Sequence, residues 1–126
     1  MAGDRRAGSS GIRFRPADLD HYVDVIIEEG VPAVETSGDN PAAYVDRLKS
    51  HGIKVIHKVT SVRHALKAVE LGVDAIAVVG YESGGQIGQD DVGLMALIPR
   101  VVDAVKVPVI GTGGADGRGL LSVLAM

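Results

Sequence analysis

Two glycine-rich turns and one lysine are the residues of this chain best suited to chemistry. The first turn follows the apolar run 75–79: Gly80 stops the run, and Gly84, Gly85 and Gly88 then surround Ser83 and Gln86. The second lies in VPVIGTGGADGRG, residues 107–119, where Thr112 precedes Gly113 and Gly114. Glycine after a strand lets the backbone approach a ligand, or take positive φ, where a Cβ would clash. A strand that runs through glycines into a helix start aims backbone N–H groups outward, which suits a phosphate. Lys58, near the end of the apolar run 53–59, adds a cation. Together these residues predict a phosphorylated small molecule as ligand.

Such groups converge only if the elements beneath them run in one direction. Apolar strands are predicted at 31–36, 53–59, 73–79 and 107–112, with helical patterns between them. Leu19, Tyr22, Val23, Ile26 and Ile27 share one helical face, and Pro16 suits that helix's first turn. Asn40 caps a helix carrying Tyr44, Val45 and Leu48, with Pro41 in its first turn. Ser61 caps a helix burying Val62, Ala65, Leu66 and Val69, which Gly72 ends. Leu94, Leu97, Ile98, Val101, Val102 and Val105 line a fourth, for which Asp90 and Asp91 are the expected caps.

Alternating strands and helices give right-handed crossovers and a parallel sheet. The run 75–79, apolar at both alternating positions, reads as a strand covered by helices on both sides. The fold class is α/β: parallel (β/α) units of a TIM barrel, with about four of the eight strands present. That makes the chain a half-barrel or truncated barrel, spanning residues 12–126 behind a flexible leader at 1–11. A small open sheet with helices on both faces is the competing architecture. Parallel strands bring their C-terminal ends to one rim, so Glu35, Thr36, His57, Lys58, Tyr81, Glu82, Thr112 and the second glycine turn should gather there.

Composition narrows the classes. The chain is 46% hydrophobic but only 3% aromatic, which favours aliphatic helix-on-sheet packing. A net charge of −3 argues against a nucleic-acid surface. Without Cys there is no disulfide, thiolate metal site or Cys nucleophile. No apolar run approaches the roughly 20 residues of a membrane span, and the basic N-terminus lacks a secretory apolar stretch; the expected location is the cytoplasm. His21, His51, His57 and His64 form no metal-ligand spacing and read as surface or structural. On the strand 53–59, alternation sends His57 and Lys58 to opposite faces, with Lys58 facing the barrel interior.

Residues 52–75, 80–92 and 108–120 resemble, in order and spacing, the nitronate monooxygenases (2-nitropropane dioxygenases), FMN-dependent TIM-barrel enzymes; the resemblance runs from Phe14 to the C-terminus. The same scaffold serves FMN-dependent enoyl-ACP reductases. The resemblance implies FMN as cofactor and a nitronate and O2 as reactants; charge and hydropathy, as above, predict no nucleic-acid or membrane partner. It implies that Lys58 contacts the flavin, that Gly84 and Gly85 lie beside its ring, and that Thr112, Gly113 and Gly114 bind its phosphate. Three departures stand out. The family's loop reads EAGGH or ECAGH, with histidine as catalytic base, and Gln86 stands in that place. Histidine titrates near pH 6.5 and accepts a proton, whereas glutamine only exchanges hydrogen bonds. The turn GGADG is one residue shorter than the family's GGxxDG. Other strands of the flavin pocket are absent from the segment. A reductase sharing the scaffold, or a non-catalytic half-barrel pairing as a homodimer, is the alternative expectation.

Overall fold

The computed structural model describes residues 19–38, 40–84 and 90–113. Helices and strands alternate along it: α1 (Leu19–Glu28), β1 (Ala33–Thr36), α2 (Ala42–Ser50), β2 (Lys54–Val59), α3 (Val62–Glu70), β3 (Ala75–Val79), α4 (Leu94–Ala104) and β4 (Val109–Thr112). The strands form one parallel sheet in the order β1-β2-β3-β4. With sequential order, each right-handed crossover steps the same way, so the connecting helices fall on one face of the sheet. Helices on both faces would need the order to reverse at a switch point, which excludes the open-sheet alternative. This is the arrangement of an arc of a (β/α) barrel.

The core lies between that face and the helices. Val55, Val59, Ile76 and Val78 meet Val45 and Leu48 of α2, Ala65 and Ala68 of α3, and Leu94, Leu97 and Val101 of α4. Ile56, Lys58, Ala77 and Ile110 alternate onto the opposite face, where Ile110 is 43% exposed. The described helices cover the side of the run 75–79 that carries Ile76 and Val78, and Ala77 and Val79 on the other side are buried as well. Tyr22, Leu66 and Val102, expected in helical stripes, are exposed. Each lies one position round from a buried neighbour, Val23, Ala65 or Val101, and the 3.6-residue period carries it past the edge of the sheet contact. No helix among the described residues is long and apolar enough to cross a membrane. The leader 1–11, Pro16 and everything beyond Gly113 lie outside the described residues.

One device ends three of the helices. Gly72 takes φ +83°, its N–H reaches Val69 O at 2.9 Å, and the Val73 N–H reaches Ala68 O at 3.4 Å. This pair of bonds satisfies carbonyls the helix leaves free, and positive φ is why glycine fills the position. Gly30 and Gly52 end α1 and α2 in the same way. The residue after each glycine is spent on the turn, so the strands begin two residues, or one for β2, later than their apolar runs: Val31, Ile53 and Val73 pack without pairing. The expected cap is present at α3, where Ser61 Oγ accepts the His64 N–H at 3.3 Å; at α2 the cap residue is Pro41, not Asn40, whose Oδ1 accepts the Ala42 N–H at 3.0 Å from one residue further out.

The N-terminal end of the sheet is held by Asp74. Its Oδ2 accepts the Val55 N–H at 2.9 Å, its N–H donates to Val55 O at 2.8 Å, and its Oδ1 lies 3.2 Å from Lys54 Nζ and 3.6 Å from Lys49 Nζ. Lys49 also donates to Gly72 O. Burial disfavours the Asp74 carboxylate, but the Val55 N–H and the two ammonium groups outweigh it and hold its pKa below the ordinary value. A carboxyl whose pKa is lowered on folding adds stability above its unfolded pKa of about 3.9 and loses it as pH falls through the lower native value. Asp74→Ala should cost about 1–3 kcal/mol by stranding the Val55 N–H, with Asp74→Asn milder because its amide oxygen still accepts. Urea denaturation at pH 7 and below pH 4 checks both statements.

Candidate functional site

The parallel strands bring Thr36, Val59, Val79 and Thr112 to one rim. On β2 the alternation divides His57 from Lys58. His57 is 7% exposed on the helix-covered face, where Nδ1 lies 2.8 Å from Thr36 Oγ1. That hydroxyl is also 3.4 Å from Ile56 O; directing its proton there leaves it to accept from an Nδ1–H. Burial, then the nearby His64, lower the His57 pKa against the smaller opposing effects of Thr36 and Glu35, so the ring is held neutral. It is a structural histidine placed just below the rim. Lys58 lies on the opposite, open face, as expected, and its Nζ is 2.7 Å from Glu35 Oε1. With both side chains about one-third to two-fifths exposed, this pair positions the ammonium group more than it stabilises the fold.

The loop after β3 is held by an interaction that sequence periodicity did not reveal. Glu82 turns back across Gly80, and both its carboxylate oxygens lie 3.0 Å from the Leu94 N–H at the start of α4. The negative charge suits the positive end of the helix. The cap of α4 is therefore Glu82, twelve residues upstream, and not Asp90 or Asp91; Gly93 occupies the residue before the helix. A Cβ on Gly93 would stand 3.1 Å from Glu82 Oε1. One on Gly80 would stand 2.7 Å from Leu94 Cβ, and closer still to Leu94 N and to Glu82 Oε2. Two glycines flanking a glutamate in this way were the available signal. The Tyr81 N–H donates to Val92 O at 2.9 Å, closing the loop, while the Tyr81 side chain is exposed.

The turn after β4 touches the loop after β3. Gly113 takes φ +76°, and a Cβ on it would lie 2.8 Å from Ser83 Cβ. The two glycine turns are thus in contact at one rim. Thr112 Oγ1 donates to Val78 O at 3.1 Å, tying β4 to β3, so its proton is already committed to the backbone. Gly84 differs from the other glycines of the rim. It is exposed, its φ is not positive, and nothing lies within 4 Å of where its Cβ would be. Ser83 Oγ is buried with no hydrogen-bond partner among the described residues. Gly85, Gln86 and Gly114 lie outside those residues. No group of three His, Asp or Glu that could hold a metal ion occurs among them. A positioned cation, an unencumbered glycine and an unsatisfied hydroxyl beside a glycine turn suit an anionic, partly flat ligand.

Comparison with known proteins gives three likenesses and one family match. The chain is 37% identical over 115 residues to (3aS,4S,5R,7aS)-5-hydroxy-7a-methyl-1-oxo-octahydro-1H-indene-4-carboxyl-CoA dehydrogenase of Rhodococcus jostii, a match covering 90% of the chain and 32% of the relative. It is 36% identical over 115 residues to a probable nitronate monooxygenase of Staphylococcus saprophyticus, covering 82% and 32%. FabK from Thermotoga maritima superposes with a TM-score of 0.82 and 40% identity over 89% of the chain and 36% of FabK. The chain spans about a third of the length of the curated relatives it matches. The family model for nitronate monooxygenase matches residues 7–126.

Proposed function

The chain belongs to the nitronate monooxygenase family, and from that premise we propose that it forms part of an FMN site in an oxidoreductase that oxidises alkyl nitronates with O2. The observation that carries this reading is the contact between the two glycine turns, Ser83 against Gly113, at the rim that also bears Lys58. The residues fit the cofactor in two ways. Gly84 is glycine although neither its backbone angle nor any described neighbour demands it; a flat ring passing over it supplies the reason. Ser83 Oγ lacks a partner, and a polar ligand atom would provide one.

When bound, FMN supplies the ring that takes electrons from the nitronate and passes them to O2. The protein's part is placement and charge. Lys58 holds a cation on the open face, steadied by Glu35, where it favours negative charge on the ring or its substituents. Gly84 and Gly85 give the ring close access to the backbone, and the turn at Gly113 and Gly114 receives the phosphate. Gln86, at the family's histidine position, hydrogen-bonds a nitro group or an already ionised nitronate but takes no proton.

FMN titration of the chain, followed by flavin fluorescence, tests the binding half of this reading. Lys58→Met should weaken FMN binding about 10-fold, the scale of one charge-assisted contact, and unchanged affinity would remove Lys58 from the site. The Rhodococcus relative favours a second reading, an oxidoreductase acting on an acyl thioester. Oxygen uptake with a nitronate, against NADH consumption with an enoyl thioester, separates the two in the FMN-loaded protein.

A further inference from the structure

The C-terminal half of the sheet's open face is aliphatic at Ile56, Ala77, Val79 and Ile110. Among the strand residues facing that way, Glu35 and Lys58 alone carry charge there. Glu35 is in register with Ile56, whereas Lys58, two residues nearer the rim, is in register with Ala77. The 2.7 Å contact between Lys58 Nζ and Glu35 Oε1 is therefore diagonal. The two side chains lean toward each other, the lysine back from the rim and toward β1. Both glycine turns follow β3 and β4, on the other side of β2. Glu35 thus keeps the cation on the side away from the turns.

The hold is a weak one. Both side chains are partly exposed, at 34% and 42%, and an ion pair in contact with water adds little to the fold. Toward β3, Lys58 has the methyl group of Ala77 beside it in register, which neither retains an ammonium group nor obstructs its swing. The ammonium therefore has two stations, one on the Glu35 carboxylate and one on an anion seated over β3. The carboxylate and that anion compete for the same cation.

We propose that Glu35 is a positioning residue that competes with the anionic reactant for Lys58, and so sets how strongly the site prefers a nitronate to a neutral molecule of similar shape. The inference rests on the flavin and nitronate reading above, and its test separates the two. The FMN-loaded chain and its Glu35→Gln variant are titrated with nitrate, an unreactive planar anion that shares the charged N–O edge of a nitronate. Nitrobenzene, which is neutral and has no α-proton to lose, is the control, and flavin absorbance reports both. Glu35→Gln should bind nitrate about 10-fold more tightly, the scale of a hydrogen bond to a charged group, with nitrobenzene affinity and the unfolding midpoint unchanged. In a Lys58→Met background the same change should gain only about 2-fold, the residual repulsion of a solvent-screened carboxylate. Unchanged or weaker nitrate binding by Glu35→Gln would overturn the proposal while leaving flavin binding intact. So would an equal gain in the two backgrounds, or a parallel gain for nitrobenzene. Failure of wild type to bind FMN would remove the flavin reading and this inference with it.

Discussion

Gly80→Ala should destabilise the chain by about 3 kcal/mol, combining an overpacked contact of about 1–3 kcal/mol with loss of a helix cap worth about 0.5–2 kcal/mol. Gly80 is buried, and the added methyl would enter the gap between Leu94 and the Glu82 carboxylate. Leu94 N is backbone at the start of α4, so it cannot swing aside; either the helix shifts or Glu82 lets go. Removing Glu82 as well should not rescue the variant, because the contact with Leu94 persists. Gly111→Ala is the informative contrast. Its Cβ would stand 2.6 Å from Ile98 Cδ1, the far end of a flexible side chain that can change rotamer, and the cost should be about 1 kcal/mol. Urea denaturation of the two variants checks the ranking, and equal midpoints would contradict the described packing around Gly80.

In the FMN-loaded protein, neutral nitroalkanes should be oxidised about 10²–10⁴-fold more slowly than the corresponding nitronates, the usual worth of general-base catalysis. A neutral nitroalkane must lose its α-proton before oxidation, and Gln86 offers no basic atom to receive it. A nitronate arrives with that proton already gone. Gln86→His should recover much of the difference on neutral substrates, most clearly above the ordinary histidine pKa of about 6.5, where the ring is unprotonated. Nitronate turnover should change little. Equal rates for the two substrate forms in the parent protein would show that another group takes the proton.

Features set by short-range pattern were legible in the residues, and features set by chain reversal were not. The parallel β/α repeat, the capping by Ser61, and the Gly72 stop each depend on residues within a turn or two of one another. The opposite facing of His57 and Lys58 follows from the two-residue period of a strand. By contrast, the link between Glu82 and Leu94 requires the loop to fold back on itself, which no periodicity encodes, and so the nearer Asp90 and Asp91 looked like the caps. Lys58 was legible as a rim cation, but its pairing with Glu35 depends on the register between two strands. That the described helices cover one face follows from strand order, a property of the assembled sheet. The readings of Gln86, Gly85 and Gly114 come from the family resemblance, and all three lie outside the described residues.

The opposite ends of the sheet carry different work. Asp74 and its two lysines fasten the ends where the strands begin, whereas Lys58, Ser83 and the glycine turns lie where they finish. Lys58 is in register with Ala77, three residues beyond Asp74, which puts roughly 10 Å or more between these groups along the strands, more than the Debye length of about 8 Å at physiological ionic strength. Heat tolerance and ligand preference can therefore drift separately: a lineage could exchange its clasp of charges for another without retuning what the opposite mouth accepts.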